Sequence, residues 1–132
     1  MMNECLFCNK ENITTDIVYE DEMVMAFMDI DPINEGHVLV VPKKHYLDAD
    51  DMPDEVLSHL MMVAKKIVRA LKEIYSPDGY TIMQNGGSFN DVGHFHLHIF
   101  PRYQNDGFSW TYGNEAMNVN SEIAKRIKER IQ

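Results

Sequence analysis

The chain has 132 residues, 45% of them hydrophobic, which suits one compact domain and leaves little room for a second. Its 12 Lys and Arg against 21 Asp and Glu give a formal net charge of −9 with no basic run, which argues against a nonspecific grip on nucleic acid. There is no run of about 18 apolar residues and no basic, apolar leader at Met1-Met2-Asn3-Glu4-Cys5, so neither a membrane span nor a secretion signal is expected and a cytoplasmic location is the default.

In chain order, the first feature is Cys5-Leu6-Phe7-Cys8. This spacing is too close for an easy disulfide framework and typical of paired thiolate ligands for zinc. Such a pair closes a tetrahedral site only with two further ligands, and His45 after Pro42-Lys43-Lys44 is the natural third. The plainer reading is two reduced thiols on a loose N-terminus. Three strands are predicted next, at Asp16–Glu20, Met23–Asp29 and His37–Val41, with a hairpin corner at Glu20-Asp21-Glu22 and a connection through Asp31-Pro32-Ile33-Asn34-Glu35-Gly36.

From Met52 to Tyr75, apolar residues recur at Leu57, Leu60, Met61, Ala64, Ile67, Val68, Leu71 and Ile74, which predicts a long amphipathic helix stopped by Ser76-Pro77-Asp78-Gly79. His59 falls on its polar side and reads as a solvated helix residue. Strands at Tyr80–Gln84 and His94–Phe100 follow, separated by a glycine-bearing loop from Asn85 to Gly93 that suits a ligand. Beyond Pro101 the chain is irregular and aromatic, with Tyr103, Phe108, Trp110 and Tyr112, before Ile123, Ile127 and Ile131 predict a short C-terminal helix. The elements sum to an α+β fold.

The run His94-Phe95-His96-Leu97-His98-Ile99-Phe100 carries the chemistry. Alternation on a strand puts His94, His96 and His98 on one face and Phe95, Leu97 and Ile99 on the other, with like side chains roughly 7 Å apart. That spacing is too long for mutual hydrogen bonding but suits contacts along a polyphosphate. A single strand histidine is usually solvated or hydrogen-bonded without chemistry, whereas three alternating with large apolar residues are hard to dismiss. Three imidazoles could also hold an open zinc site, although the next acid after His98 is only Asp106. A neutral imidazole is nucleophilic near pH 7 without metal assistance.

These residues resemble the histidine triad (HIT) family, in its bacterial-type zinc-binding branch. The resemblance extends to Ala26-Phe27-Met28-Asp29-Ile30 and to Gly36-His37-Val38-Leu39-Val40-Val41-Pro42-Lys43-Lys44-His45, with order and spacing kept from Cys5 to about Arg102. It implies a HIT-like fold, an antiparallel sheet of about five strands with one long helix and a C-terminal helix. It also implies a single HIT domain over residues 1–132, with a zinc-binding segment at 1–15 and a variable tail at 103–132.

The resemblance further implies a purine nucleotide at the sheet edge and a covalent nucleotidyl-histidine formed by His96. His98 would contact the phosphate and leaving group, and His37 would hydrogen-bond within the row. Asp29 would hold the ribose, Phe27 and Ile30 would wall the base, and Asn85 would steady the phosphate. Where many members carry Gln followed by Ser or Thr before the histidines, this chain has Asn90-Asp91, which puts the Asp91 carboxylate near phosphate. Arg102 is similar to a basic residue of members that cleave dinucleoside polyphosphates. Structural zinc would be held by Cys5, Cys8, His45 and His94, with no organic cofactor. The activity implied is hydrolysis or transfer at the α-phosphate of a phosphoramidate or a dinucleoside polyphosphate, by a homodimer; the alternative is a nonenzymatic nucleotide sensor or scaffold.

Overall fold

A computed structural model of the chain describes residues 5–131. The reading of Met1-Met2-Asn3-Glu4 as lacking a leader, and the start of the 1–15 segment, fall outside the described residues. Five strands, β1 (Ile17–Glu20), β2 (Val24–Met28), β3 (Val38–Pro42), β4 (Gly79–Met83) and β5 (Leu97–Arg102), form one antiparallel sheet in the order β1-β2-β3-β5-β4. The helices are α1 (Asp54–Tyr75) and α2 (Ser121–Ile131), and together with the sheet they make the α+β architecture expected of the sequence.

Alternation along the strands divides the core in two. Val24, Ala26, Val38, Val40, Leu97 and Ile99 face α1, which buries Leu60, Val63, Ala64, Ile67, Val68 and Leu71 against them. Met25, Phe27, Leu39 and Val41 face the other way and are covered by Phe7, Ile13 and Ile17, so the N-terminal stretch roofs the face that carries the histidines. Helix α1 begins after Pro53 with Asp54 and Glu55 in its first turn, favourable against the helix dipole, and ends on Ser76 in the left-handed region at φ 45°.

Four sequence readings change. Met61 and Ile74, placed on the apolar stripe, are 47% and 70% exposed, and Val63 takes a core place instead. Met61 lies about 100° round from Leu60, while Ile74 is in the last turn of a 22-residue helix that outruns strands of four to six residues. His59 is no merely solvated residue: its Nε2 lies 2.6 Å from Asp21 Oδ2, pinning α1 to the β1–β2 corner. Strand β5 begins at Leu97 rather than His94. Upstream of it the chain leaves the ladder, and Phe95 N donates to Tyr46 O in the segment that follows β3.

Candidate active site

The histidine row is built by β5 and the approach to it, with His37 alongside at the entry to β3, and its three imidazoles lie on the face away from α1. Hydrogen-bond partners fix their tautomers, since a carbonyl can only accept and a backbone N–H can only donate. His96 Nδ1 lies 2.8 Å from His94 O, so Nδ1 holds the proton and Nε2 presents its lone pair. His37 Nδ1 accepts from Ile33 N at 3.0 Å, which puts its proton on Nε2. That Nε2–H faces His98 Nδ1 at 3.0 Å and Asp29 Oδ2 at 3.2 Å. His98 Nδ1 therefore cannot also carry a proton, and His98 presents Nε2–H as a donor.

Burial pushes the His98 imidazolium down to about 4, reinforced by His96 and His37, and burial lowers His37 as well, so both rings are neutral at pH 7. The spacing of roughly 7 Å expected along the strand is not what the rings adopt. His96 and His98 stand 4.9 Å apart between centroids, closer than strand spacing alone would hold them, and His37, at the entry to β3, stands 5.1 Å from His98.

His96 and His98 open on a cleft of about 260 Å³ walled by Phe27, Ile30, Leu39 and Val92 and edged by Asp29 and Asp91, near the lower end for small-molecule sites. Phe27 is 3% exposed and belongs to core and wall alike, whereas Ile30 at 78% stands at the rim. Asp29 Oδ1 accepts from Asp31 N at 2.8 Å, which orients the carboxylate whose other oxygen meets His37. Asp91 Oδ1 lies 3.8 Å from His96 Nε2 on an 88% exposed side chain.

Asn85 is not among the residues lining this cleft. The loop amide that matters to its shape is Asn90, which the sequence reading noted ahead of Asp91 without giving it a role. Its Oδ1 accepts from Val92 N and Gly93 N at 3.1 and 2.9 Å, and its Nδ2 reaches Leu47 O. An Asn three residues ahead of a glycine was the available signal. Arg102 is likewise elsewhere. Its donors go to Asp106 at 2.7 and 3.0 Å, to Thr81 and to Phe108 O, in a separate groove at the far end of β4 and β5. Phe7, not singled out from the sequence, lies edge-on to His96 with ring centroids 5.3 Å apart.

Beside the cleft, the structure brings Cys5, Cys8, His45 and His94 together, with one ligand atom from each lying within 4.8 Å of all the others. Cys5 Sγ is 3.1 Å from His94 Nδ1, and Cys8 Sγ is 3.1 Å from His45 Nδ1 and 3.4 Å from His94 Nδ1. Donors on a tetrahedral zinc stand roughly 3.3 to 3.8 Å apart, so only small adjustments close the set around an ion. His94 Nε2 lies 2.8 Å from Pro42 O, which takes its proton and leaves the Nδ1 lone pair aimed at the sulfurs, the outer-shell arrangement expected of a ligating histidine.

Asp29, His37 and His98 also converge. An ion on His37 Nε2 would demand an imidazolate, because Nδ1 already accepts a backbone proton, so this group reads as a hydrogen-bond relay. The reading of three histidines as one open zinc site gives way because the rings do not converge: His94 turns to the thiols, His96 to the cleft and His98 to His37.

A family model described as the HIT domain matches residues 10–105. An uncharacterized HIT-like protein of Methanocaldococcus jannaschii is 47% identical over 129 residues, 94% of this chain and 98% of that protein. An adenosine 5'-monophosphoramidase of Schizosaccharomyces pombe is 30% identical over 131 residues, 96% of this chain and 95% of that one. A crystal structure of a Zn-bound histidine triad family protein from Mycobacterium smegmatis matches with a TM-score of 0.73 at 35% identity, covering 84% of each chain.

Proposed function

The chain belongs to the HIT family, and from that premise we propose that it is a hydrolase or transferase that cleaves the bond between the α-phosphate of a purine nucleotide and its leaving group through a nucleotidyl-His96 intermediate. The observation that carries this reading is the tautomer set: an Nε2 lone pair on His96 facing the cleft, with an Nε2–H of His98 beside it.

His96 Nε2 donates its pair to phosphorus, and the bond to the leaving atom breaks. That atom departs with the pair, hydrogen-bonded by His98, and is protonated by solvent. The phosphorylated ring is an imidazolium whose Nδ1–H stays on His94 O, so the positive charge forms against a fixed dipole. Water then attacks phosphorus, the pair returns to Nε2 and a proton is released. Asp29 would bind the ribose hydroxyls, with Phe27, Ile30 and Leu39 against the base.

The lining of the cleft, among the described residues, holds Asp29, Asp31 and Asp91 and neither Lys nor Arg. That balance favours a single phosphate over a polyphosphate chain and hence the phosphoramidate branch, in keeping with the activity named for the fission-yeast relative. We assign zinc to Cys5, Cys8, His45 and His94, where a closed tetrahedral set would tie residues 5–8 to the strand approach. A homodimer is the assembly we propose, supported by apolar side chains left exposed on α1 and the β4 edge, Met61, Met62, Ile74 and Tyr80.

Intact-mass spectrometry after brief mixing with adenosine 5'-phosphoramidate and with a diadenosine polyphosphate tests the reaction. Wild type is expected to show a nucleotidyl adduct or turnover, on the phosphoramidate first, and His96→Asn neither, with nucleotide affinity kept within about threefold. Inactivity on both substrates with AMP still bound would overturn the enzyme reading and leave a nucleotide sensor.

A further inference from the structure

The 3-10 turn Leu6–Cys8 serves two sites with neighbouring residues. Cys5 and Cys8 face His45 and His94, while Phe7 between them sends its ring into the cleft. That ring meets Phe27 edge-on at 5.2 Å and 71°, and His96 at 5.3 Å and 88°. Asn12, Ile13, Thr14 and Thr15 continue the same wall. One stretch of chain therefore supplies two of the four metal donors and a whole side of the substrate cleft.

Apart from the packing of Phe7 and Ile13 on Met25, Phe27, Leu39 and Val41, little else fastens this stretch to the sheet. Among the described residues its backbone hydrogen bonds are internal, from Cys8 N to Cys5 O, Asn12 N to Asn9 O and Ile13 N to Lys10 O. Neither of its 3-10 turns contains a buried residue. The Lys10–Glu20 ion pair is at the surface, with the lysine side chain 59% exposed, and such pairs hold a segment weakly. Thr15, whose hydroxyl donates to Met28 O, fastens only the far end. Among the described residues, the thiol–imidazole cluster is thus the polar tie between the Leu6–Cys8 turn and the rest of the fold.

We propose that zinc bound by Cys5, Cys8, His45 and His94 regulates nucleotide affinity, acting as a latch that holds Phe7 and residues 12–15 in place as one wall of the cleft. The proposal rests on the reading of that cleft as a nucleotide site. An ion that orders a segment the nucleotide needs raises nucleotide affinity, and by linkage the nucleotide raises ion affinity by the same factor. Phe7 acts here as a positioning residue toward the His96 ring.

The test uses the full chain, loaded with zinc or stripped with a chelator, and titrates AMP by calorimetry while circular dichroism follows the fold. Stripping is expected to weaken AMP binding about tenfold with the sheet and α1 signals intact. Zinc-loaded Phe7→Ala is expected to reproduce most of that loss while still binding one zinc, and Phe7→Leu to recover part of it. A fluorine label on the ring of residue 7 gives a readout that needs neither nucleotide nor turnover: a sharp, ring-shifted resonance with zinc that moves to the free-chain position on stripping. Equal AMP affinity in the loaded and stripped forms, or a fluorine resonance that ignores zinc, would overturn the latch. AMP binding to neither form would overturn the nucleotide reading instead, and the fluorine resonance would then decide the latch alone.

Discussion

His98 and His37 are held neutral by burial, and this has a consequence for stability against pH. Their folded pKa values lie below the ordinary histidine value of about 6.5, so the unfolded chain takes up protons first as pH falls. Stability from these two rings is complete above a pH of about 6.5 and declines as pH falls, for His98 down to about 4. The urea midpoint is expected to rise between those limits and flatten above them, and His98→Asn to shallow the slope. Glu20, drawn down to about 2 by Lys10 and Lys43, adds a separate loss at lower pH still. Asp91 acts at the same scale. Its exposed carboxylate, 3.8 Å from His96 Nε2, would repel the phosphate of the proposed nucleotide. Asp91→Asn is expected to tighten ADP more than AMP, by a few-fold at low salt, with the difference collapsing in 0.5 M NaCl as screening takes over. Equal gains for both nucleotides, or a gain that persists in high salt, would remove Asp91 from the phosphate's surroundings.

The packing of α1 against the β2–β3 connection depends on one backbone position. Gly36 sits at φ 92°, and a Cβ there would lie 2.7 Å from Tyr75 Cε2, whose hydroxyl in turn bonds Glu35. Gly36→Ala combines a left-handed backbone with a collision, and is expected to cost about 2 kcal/mol in denaturant melts. Combined with Tyr75→Ala it should cost less than the two changes added, because the ring is the obstacle; strict additivity would show that the backbone angle alone matters. The histidine segment shows the limit of periodicity at the same scale. Alternation predicted the shared face of His94, His96 and His98, and the row does lie away from α1. It did not predict that β5 begins at Leu97, which frees the His94 carbonyl to take the His96 proton instead of a ladder partner.

At the scale of the whole molecule, apolar side chains stand exposed in the tail, where Trp110, Tyr112 and Met117 project, and also on α1, where Met61 and Met62 are 47% and 59% exposed. If two copies pack there, the melting temperature rises with protein concentration, and the double change Met61→Glu, Met62→Glu yields a folded monomer in sedimentation equilibrium. An unchanged mass in the double variant would place the contact elsewhere. The sequence by itself determined the α+β class, the order of strands and helices, the row of histidines and the cysteine pair, because strand alternation, helical period and ligand spacing are local properties of neighbouring residues. The sequence also offered His45 as a third ligand, its resemblance to the HIT family added His94, and the fold brings these four side chains together across some 90 positions. Only the tertiary structure decided which nitrogen of each imidazole holds a proton, that Arg102 is spent on Asp106, that Asn90 rather than Asn85 shapes the loop, and that Phe7 roofs His96. Those outcomes depend on which donors, acceptors and rings meet once the sheet has closed, and apart from the spacing of Asn90 to Gly93 the local sequence does not record them.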